Sequence, residues 1–398
     1  MKVSASDPQA VGTGLRALMV VCALSVVSLL YLPLPILGVL KQTHDIDATG
    51  MVSSFGFAYA AGFLIFGPLS DRLGRRTVMV AGLLALVGAT AVLAVASTSL
   101  SLMIGRVLQG LAASSFPPVA IAYLAERGSP RQRVWSVAWM STAFLSAGLL
   151  GQIYGGLVAG PWGLAAAFWP LCVVFALTAW CLWKKPADTQ AGQGLSGFFS
   201  NYKAIGSLLA DARLRRVYLP AFFLLMCFVA FYMTLDSKLG MQFAQLGISP
   251  LMTRVVVAPA FLMPLLVAVV MPKLGPQRTL SAGLVCAAAG LALSAWAGEE
   301  HLMALLGASF LFVAGLGLSV PSLIARVAGV SDASVRGLAV SLYTFVLFIG
   351  ASLGPWLAQQ TADMALRDAY LLFSGSLFGC AIYAFAGVRK MPAVARTG

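Results

Sequence analysis

The sequence predicts an all-α membrane protein of twelve transmembrane helices in two six-helix halves, and three observations carry that expectation. The chain is 60% hydrophobic and only 10% charged, with a mean hydropathy of +0.91. A water-soluble surface cannot be built from that composition. Its apolar residues also fall in runs of about 20, enough for a helix to cross about 30 Å of hydrocarbon. Finally, short segments of the first half recur in order in the second, as in membrane proteins built from repeats.

The apolar runs of the first half cover residues 15–40, 50–69, 77–96, 100–125, 134–158 and 163–183. Those of the second cover 215–237, 250–271, 279–297, 302–328, 336–360 and 367–387. They are apolar on every side, whereas strands of a membrane barrel alternate polar and apolar residues over about 10 positions. The first run lacks a small-residue cleavage pattern, so it reads as the first span rather than a removable signal. Cys22, Cys172, Cys181, Cys227, Cys286 and Cys380 all lie inside runs, where they serve as small hydrophobes.

Residues 184–214 form the one long polar connection, giving an expected organisation of 1–183, a linker at 184–214, and 215–398. Within the linker, Leu195, Phe198, Phe199, Tyr202, Ile205, Leu208 and Leu209 have helical spacing beside Lys203 and Arg213. That pattern suggests an amphipathic helix on the inner leaflet. A few extra turns leading into the seventh span is the other reading.

A net charge of +13 would suggest nucleic acid as the partner of a soluble protein. Here its distribution matters more. With the N-terminus in the cytoplasm, the outer loops keep only Lys41, Lys238 and Arg367, and spans hold Arg106 and Arg254; the other basic residues fall on inner segments. The positive-inside rule therefore places both termini in the cytoplasm of a multi-pass inner-membrane protein.

The repeats are short but ordered. At one offset Arg133 aligns with Arg336 and Gly151 with Gly354; Gly110-Leu111 aligns with Gly315-Leu316, followed by Pro117 and Pro321 respectively. The loop Leu73-Gly74-Arg75-Arg76-Thr77 matches Leu274-Gly275-Pro276-Gln277-Arg278 with one slip.

Between the second and third spans, Gly67 to Arg76 read G-P-L-S-D-R-L-G-R-R, a tight basic turn suited to an anionic leaflet. This segment resembles the signature of the major facilitator superfamily, G-x-L-[SA]-D-R-x-G-R-[RK], at every specified position. The resemblance implies the major facilitator fold and an inner-gate role for Gly67, Asp71, Arg72, Gly74, Arg75 and Arg76, whose charges hold the gate shut in the outward-open state. In the second half Pro272 and Lys273 stand in place of Asp71 and Arg72, making the expected gate lopsided.

Arg106 lies inside the fourth span, where an arginine normally faces a cavity or a partner. With Gln109 it is similar to the family's R-x-x-Q-G motif, which implies proton coupling or substrate binding. In the fifth span Ala147, Gly151, Gly155 and Gly156 partly match the antiporter motif G-x-x-x-G-P-x-x-G-G, with Gln152 in place of its proline; the eleventh span carries Gly350, Gly354 and Pro355. Close helix packing is the alternative for both sets.

Tyr31-Leu32-Pro33-x-Pro35 resembles the bicyclomycin and chloramphenicol efflux branch of the family. Members often carry an acid two positions before the tyrosine, where this chain has Leu29. No acid occupies the middle of any span, leaving Asp236, Glu126 and Asp71 as groups able to titrate. Asp236 and Arg254 lie near the outer ends of consecutive spans, either as a paired latch or as separately hydrated charges. The helices that line the cavity in the family add Tyr31, Tyr123 and Tyr232 to Arg106 and Gln109 as substrate candidates.

The expectation is a secondary active transporter, drugs or small metabolites leaving in exchange for protons, as a monomer in the lipid bilayer, with no cofactor, metal or nucleic acid. An organic-anion carrier using Arg106 and Arg254 is the alternative. A membrane enzyme or receptor is remote: the sequence shows no nucleotide-binding loop, metal-ligand cluster or catalytic triad.

Overall fold

The structure, a computed structural model, describes residues 11–36, 48–96, 98–186, 205–332 and 335–386. All regular elements among the described residues are helical. In chain order they are α1 (Thr13–Tyr31), α2 (Ala48–Leu73), α3 (Arg75–Ala94), α4 (Ser99–Ala113), α5 (Pro117–Glu126), α6 (Pro130–Tyr154) and α7 (Gly160–Trp183). Then follow α8 (Ala212–Gln245), α9 (Pro250–Val255), α10 (Met263–Ala297), α11 (Leu302–Val330), α12 (Arg336–Gln360) and α13 (Leu366–Ala386).

Ten helical stretches among the described residues are long and apolar enough to cross a membrane. Two of them turn back on a glycine in the left-handed region, Gly163 (φ 79°) in the stretch Pro130–Trp183 and Gly275 (φ 78°) in Ala258–Ala297. An L-residue resists that conformation. Counting both arms of each bend gives the expected twelve crossings, in two pseudo-symmetric halves.

Local chemistry explains the helix starts. Thr98 and Ser101 form a capping box on α4, and Ser129 and Gln132 form one on α6, satisfying amides that have no partner within the helix. Asp211 caps α8 by accepting from the Arg213 N–H at 2.7 Å. The Arg213 side chain also donates to it, holding its carboxyl below the usual carboxylate range.

Several spans differ from the sequence expectation. The fourth is broken at residues 114–116, because Pro117 starts a new helix. The eighth is α9, a 3-10 turn at Ala258–Leu262 and the first part of α10, with Pro259 and Pro264 each at the start of a helical segment. The seventh runs on to Gln245, so Asp236 sits inside a 34-residue helix rather than near its end. Most of the expected linker helix lies outside the described residues; its Ile205, Leu208 and Leu209 fall in a helical stretch over 205–210. All six cysteines are free thiols.

By internal contacts the chain groups into two units, Met1–Gly206 with Ser331–Phe345, and Ser207–Val330 with Val346–Gly398. The opening ten residues of α12 thus belong with the first unit. In that unit α6 packs on α1: a Cβ on Gly151 would lie 3.0 Å from the Ser28 carbonyl oxygen, and one on Gly155 would overlap the Leu32 carbonyl. In the second, α12 packs on α8: a Cβ on Gly350 would strike the Phe222 carbonyl, and one on Gly354 would lie 2.5 Å from Val229 Cβ. The aligned Gly151 and Gly354 therefore perform the same close packing in each half. Gly156 stands 3.7 Å from Pro35, and Pro355 lies within α12.

Candidate functional site

The basic turn between α2 and α3 is the most connected polar site. Gly74 (φ 89°) ends one helix and starts the next, placing Asp71 and Arg75 one turn apart across the bend. Arg75 NH2 lies 3.4 Å from Asp71 Oδ1. Its Nε and NH2 donate to Glu126 Oε2 and Oε1 at 2.8 and 2.7 Å. Such a planar fork makes the strongest kind of side-chain pair. Arg336 adds a second cation, its NH1 3.6 Å from Glu126 Oε1.

Asp71 faces the start of α12, accepting from the Leu338 N–H at 3.1 Å. This carboxylate meets unpaired amides and the positive end of the helix dipole. A Cβ on Gly337 would overlap Asp71 Oδ1, and one on Gly67 would lie 2.5 Å from Ser341 Cβ. Both glycines therefore permit the approach of α2 to α12.

Arg76 does something different. Its Nε donates to the Leu182 carbonyl at 2.9 Å and its NH2 to that of Trp183, closing the C-terminal end of α7. A cation is favoured there because the last carbonyls have no partner in the helix. In the other unit Gly275 repeats the left-handed turn of Gly74, and Gln277, two residues after it as Arg76 is after Gly74, donates to the Ala384 carbonyl at the end of α13. Arg72 is half-buried on the last turn of α2.

Arg106 occupies a second polar site, fully buried on α4. Its NH1 donates to the Leu29 carbonyl at 3.0 Å and to Gln109 Oε1 at 2.7 Å, and its guanidinium carbon stands 4.3 Å above the Phe55 ring. Gln109 in turn donates to Thr90 Oγ1 at 3.0 Å. The position where the efflux branch often has an acid thus meets the arginine through its main-chain oxygen. A carbonyl dipole, an amide and an aromatic face spread the charge. Tyr31, two residues beyond Leu29, has its ring near Gly148, where an added Cβ would be 3.7 Å away. Tyr123, by contrast, is buried on α5 beneath the Arg127 guanidinium, 3.7 Å from its ring.

The second unit holds the third site. Arg254 NH2 donates to Asp236 Oδ2 at 2.7 Å, linking α9 to α8. The guanidinium carbon lies 5.4 Å from the Tyr232 ring, one turn before Asp236. Tyr232 Oη is buried without a hydrogen-bond partner. Lys238 Nζ donates to the carbonyls of Ala362 and Met364, both at 2.8 Å.

Sequence reading placed the motif residues but not their partners. Glu126 was expected among the titrating groups, and the structure gives it two arginines. Arg336, visible only as the aligned partner of Arg133, joins that network. Thr90, Phe55 and Leu338 carried no signal in the sequence: two contribute an unremarkable side chain and the third its backbone. Among the described residues no group of three metal-ligating side chains comes together.

Known proteins resemble the chain as follows. A family model described as Major Facilitator Superfamily matches residues 17–355. The inner membrane transport protein YajR of Escherichia coli (strain K12) is 24% identical over 324 residues, covering 77% of this chain and 68% of the relative. The multidrug resistance protein MdtG of Salmonella paratyphi C (strain RKS4594) is 31% identical over 135 residues, 33% of each chain, so this match spans about a third of its length. The crystal structure of the human organic anion transporter MFSD10 superposes with a TM-score of 0.76 at 18% identity, covering 94% of this chain and 100% of that one.

Proposed function

The chain belongs to the major facilitator superfamily, and on that premise we propose that this multi-pass membrane transporter exports drugs or small metabolites in exchange for protons. It is a secondary transporter and not an enzyme. The observation that carries the finer reading is the pairing of Asp71 with the start of α12 while Arg75 clasps Glu126. Such a contact, made of charge and helix dipole, can break and re-form, as alternation between two states requires. In this reading the basic turn faces the cytoplasm, residues 1–183 and 215–398 are the two halves, and Arg106 with Gln109 touches substrate or proton. The likeness to MdtG supports export.

A second reading, organic-anion transport, is supported by the buried Arg106 and by Arg254. The name of the structural neighbour MFSD10 agrees with it. Proteoliposomes holding the purified protein separate the two. Uptake or release of ethidium and of salicylate is measured with and without an imposed pH gradient. Rates that ignore the gradient overturn proton exchange. Transport of salicylate alone, abolished by Arg106→Ala, overturns drug export in favour of anion transport.

A further inference from the structure

The coupling proton has no owner at the position where the efflux branch often carries an acid, because residue 29 is leucine and its carbonyl is engaged by Arg106. From the ion pair in the second unit we propose that Asp236 takes up and releases that proton, with Arg254 as its internal counter-ion. The proposal rests on the proton-exchange reading above.

Geometry sets Asp236 apart from the other acids. Asp71 and Glu126 are committed to the α12 amides and to two arginines. Asp211 is a helix cap, and Glu299, Glu300, Asp332, Asp363 and Asp368 lie in turns or at the start of a helix. Asp236 alone among the described acids lies well inside a spanning helix. Its side chain is 30% accessible and that of Arg254 25%, so the pair is shielded yet open to a proton.

The groups that bear on this carboxylate come from each neighbouring element. Arg254 faces it from α9, Tyr232 from its own helix, and Tyr370 from α13. The element α11 contributes Phe312 to the ring cluster around Phe231 and carries no charged residue before Arg326. Asp363, Arg367 and Asp368 belong to the turn before α13 and its first turn. Lys238, two positions on, is spent on the carbonyls of Ala362 and Met364. Among the described residues Arg254 is therefore the ion-pair partner of Asp236.

Protonation follows directly. A proton from one side binds an Asp236 carboxylate oxygen, cancels its charge and breaks the pair. Arg254 is carried on a six-residue helix between two non-α segments and lies within reach of the Tyr232 ring face. The neutral acid gains a donor, and the buried Tyr232 hydroxyl lacks a partner. When the proton leaves toward the other side, the carboxylate recaptures Arg254. The cycle moves one proton and leaves the protein unchanged.

Infrared difference spectra of the protein in liposomes, recorded across about pH 5 to 8, test this without a substrate. A protonated-carboxyl band that vanishes in Asp236→Asn and whose midpoint moves to higher pH in Arg254→Gln is expected; its absence from the wild type, or survival in Asp236→Asn, overturns the proposal. Proteoliposomes loaded with ethidium or salicylate give the second reading. Gradient stimulation should fall about tenfold or more in Asp236→Asn, while gradient-free exchange persists. Stimulation that survives the substitution overturns the assignment but leaves proton exchange standing. A wild type blind to the gradient overturns both. If Asp236→Asn loses exchange as well, Asp236→Glu decides: coupled transport with a shifted pH profile supports the assignment, and behaviour like the asparagine variant overturns it. Where neither probe moves, the spectrum alone decides.

Discussion

Arg75 grips Glu126 with both prongs of its guanidinium, at 2.8 and 2.7 Å, across 51 positions of sequence. Arg75→Ala leaves Glu126 with Arg336, at 3.6 Å. A lost charge-assisted bond of this kind costs about 1.5–3 kcal/mol. Thermal unfolding in detergent should show a clear drop, and the double variant with Glu126→Ala should fall well short of the summed losses. Additive losses would mean the two residues act separately.

Gly337→Ala should disable the Asp71 contact without touching a charge. The new methyl would overlap Asp71 Oδ1, so either the carboxylate or the start of α12 must move, at about 1–3 kcal/mol. Adding Asp71→Ala removes the obstacle and should recover part of the loss. Measured melting temperatures of the single and double variants check this.

Arg106→Lys should fail nearly as badly as Arg106→Ala in transport. The arginine spans the Leu29 carbonyl, Gln109 and the Phe55 face at once, and a compact ammonium cannot reproduce that planar reach. Full activity in the lysine variant would show that charge alone suffices.

Alanine substitutions at three neighbouring glycines should rank by space. Gly155→Ala strikes the Leu32 carbonyl and should destabilise most, Gly156→Ala finds its nearest atom at 3.7 Å, and Gly160→Ala meets nothing within 4 Å. Expression and melting temperature give the order. If all three are neutral, α6 does not depend on close approach to α1.

Asp211→Ala should lower stability by about 1 kcal/mol through the lost helix cap. Because the folded carboxyl lies below its ordinary value, its contribution is complete above the unfolded pKa of about 4. It disappears as pH falls further, through the folded value. Melting curves of variant and wild type should therefore converge in acid and separate at neutral pH.

The span count and repeat were legible because each needs only composition and order. Residues of the Gly67 to Arg76 segment could be named because their spacing is local. Their partners could not: Glu126 lies 51 residues from Arg75, and Leu338 lies 267 from Asp71 and offers only an N–H. Span ends were misplaced where the helix outlasts the apolar run, as at Gln245, or where proline restarts it, as at Pro117. Hydropathy reports where lipid is tolerated, while helix length follows capping and packing.

The contact that Arg76 makes with Leu182 and Trp183, and Gln277 with Ala384, has a use beyond its stability. A chain that builds one turn twice supplies its own control, since a charged and an uncharged side chain do the same job in a single molecule. Exchanging the two, Arg76→Gln and Gln277→Arg, keeps the composition and the net charge fixed while moving one positive charge from one turn to the other. Any change in membrane orientation or activity then reports on where the charge sits, with its amount held constant.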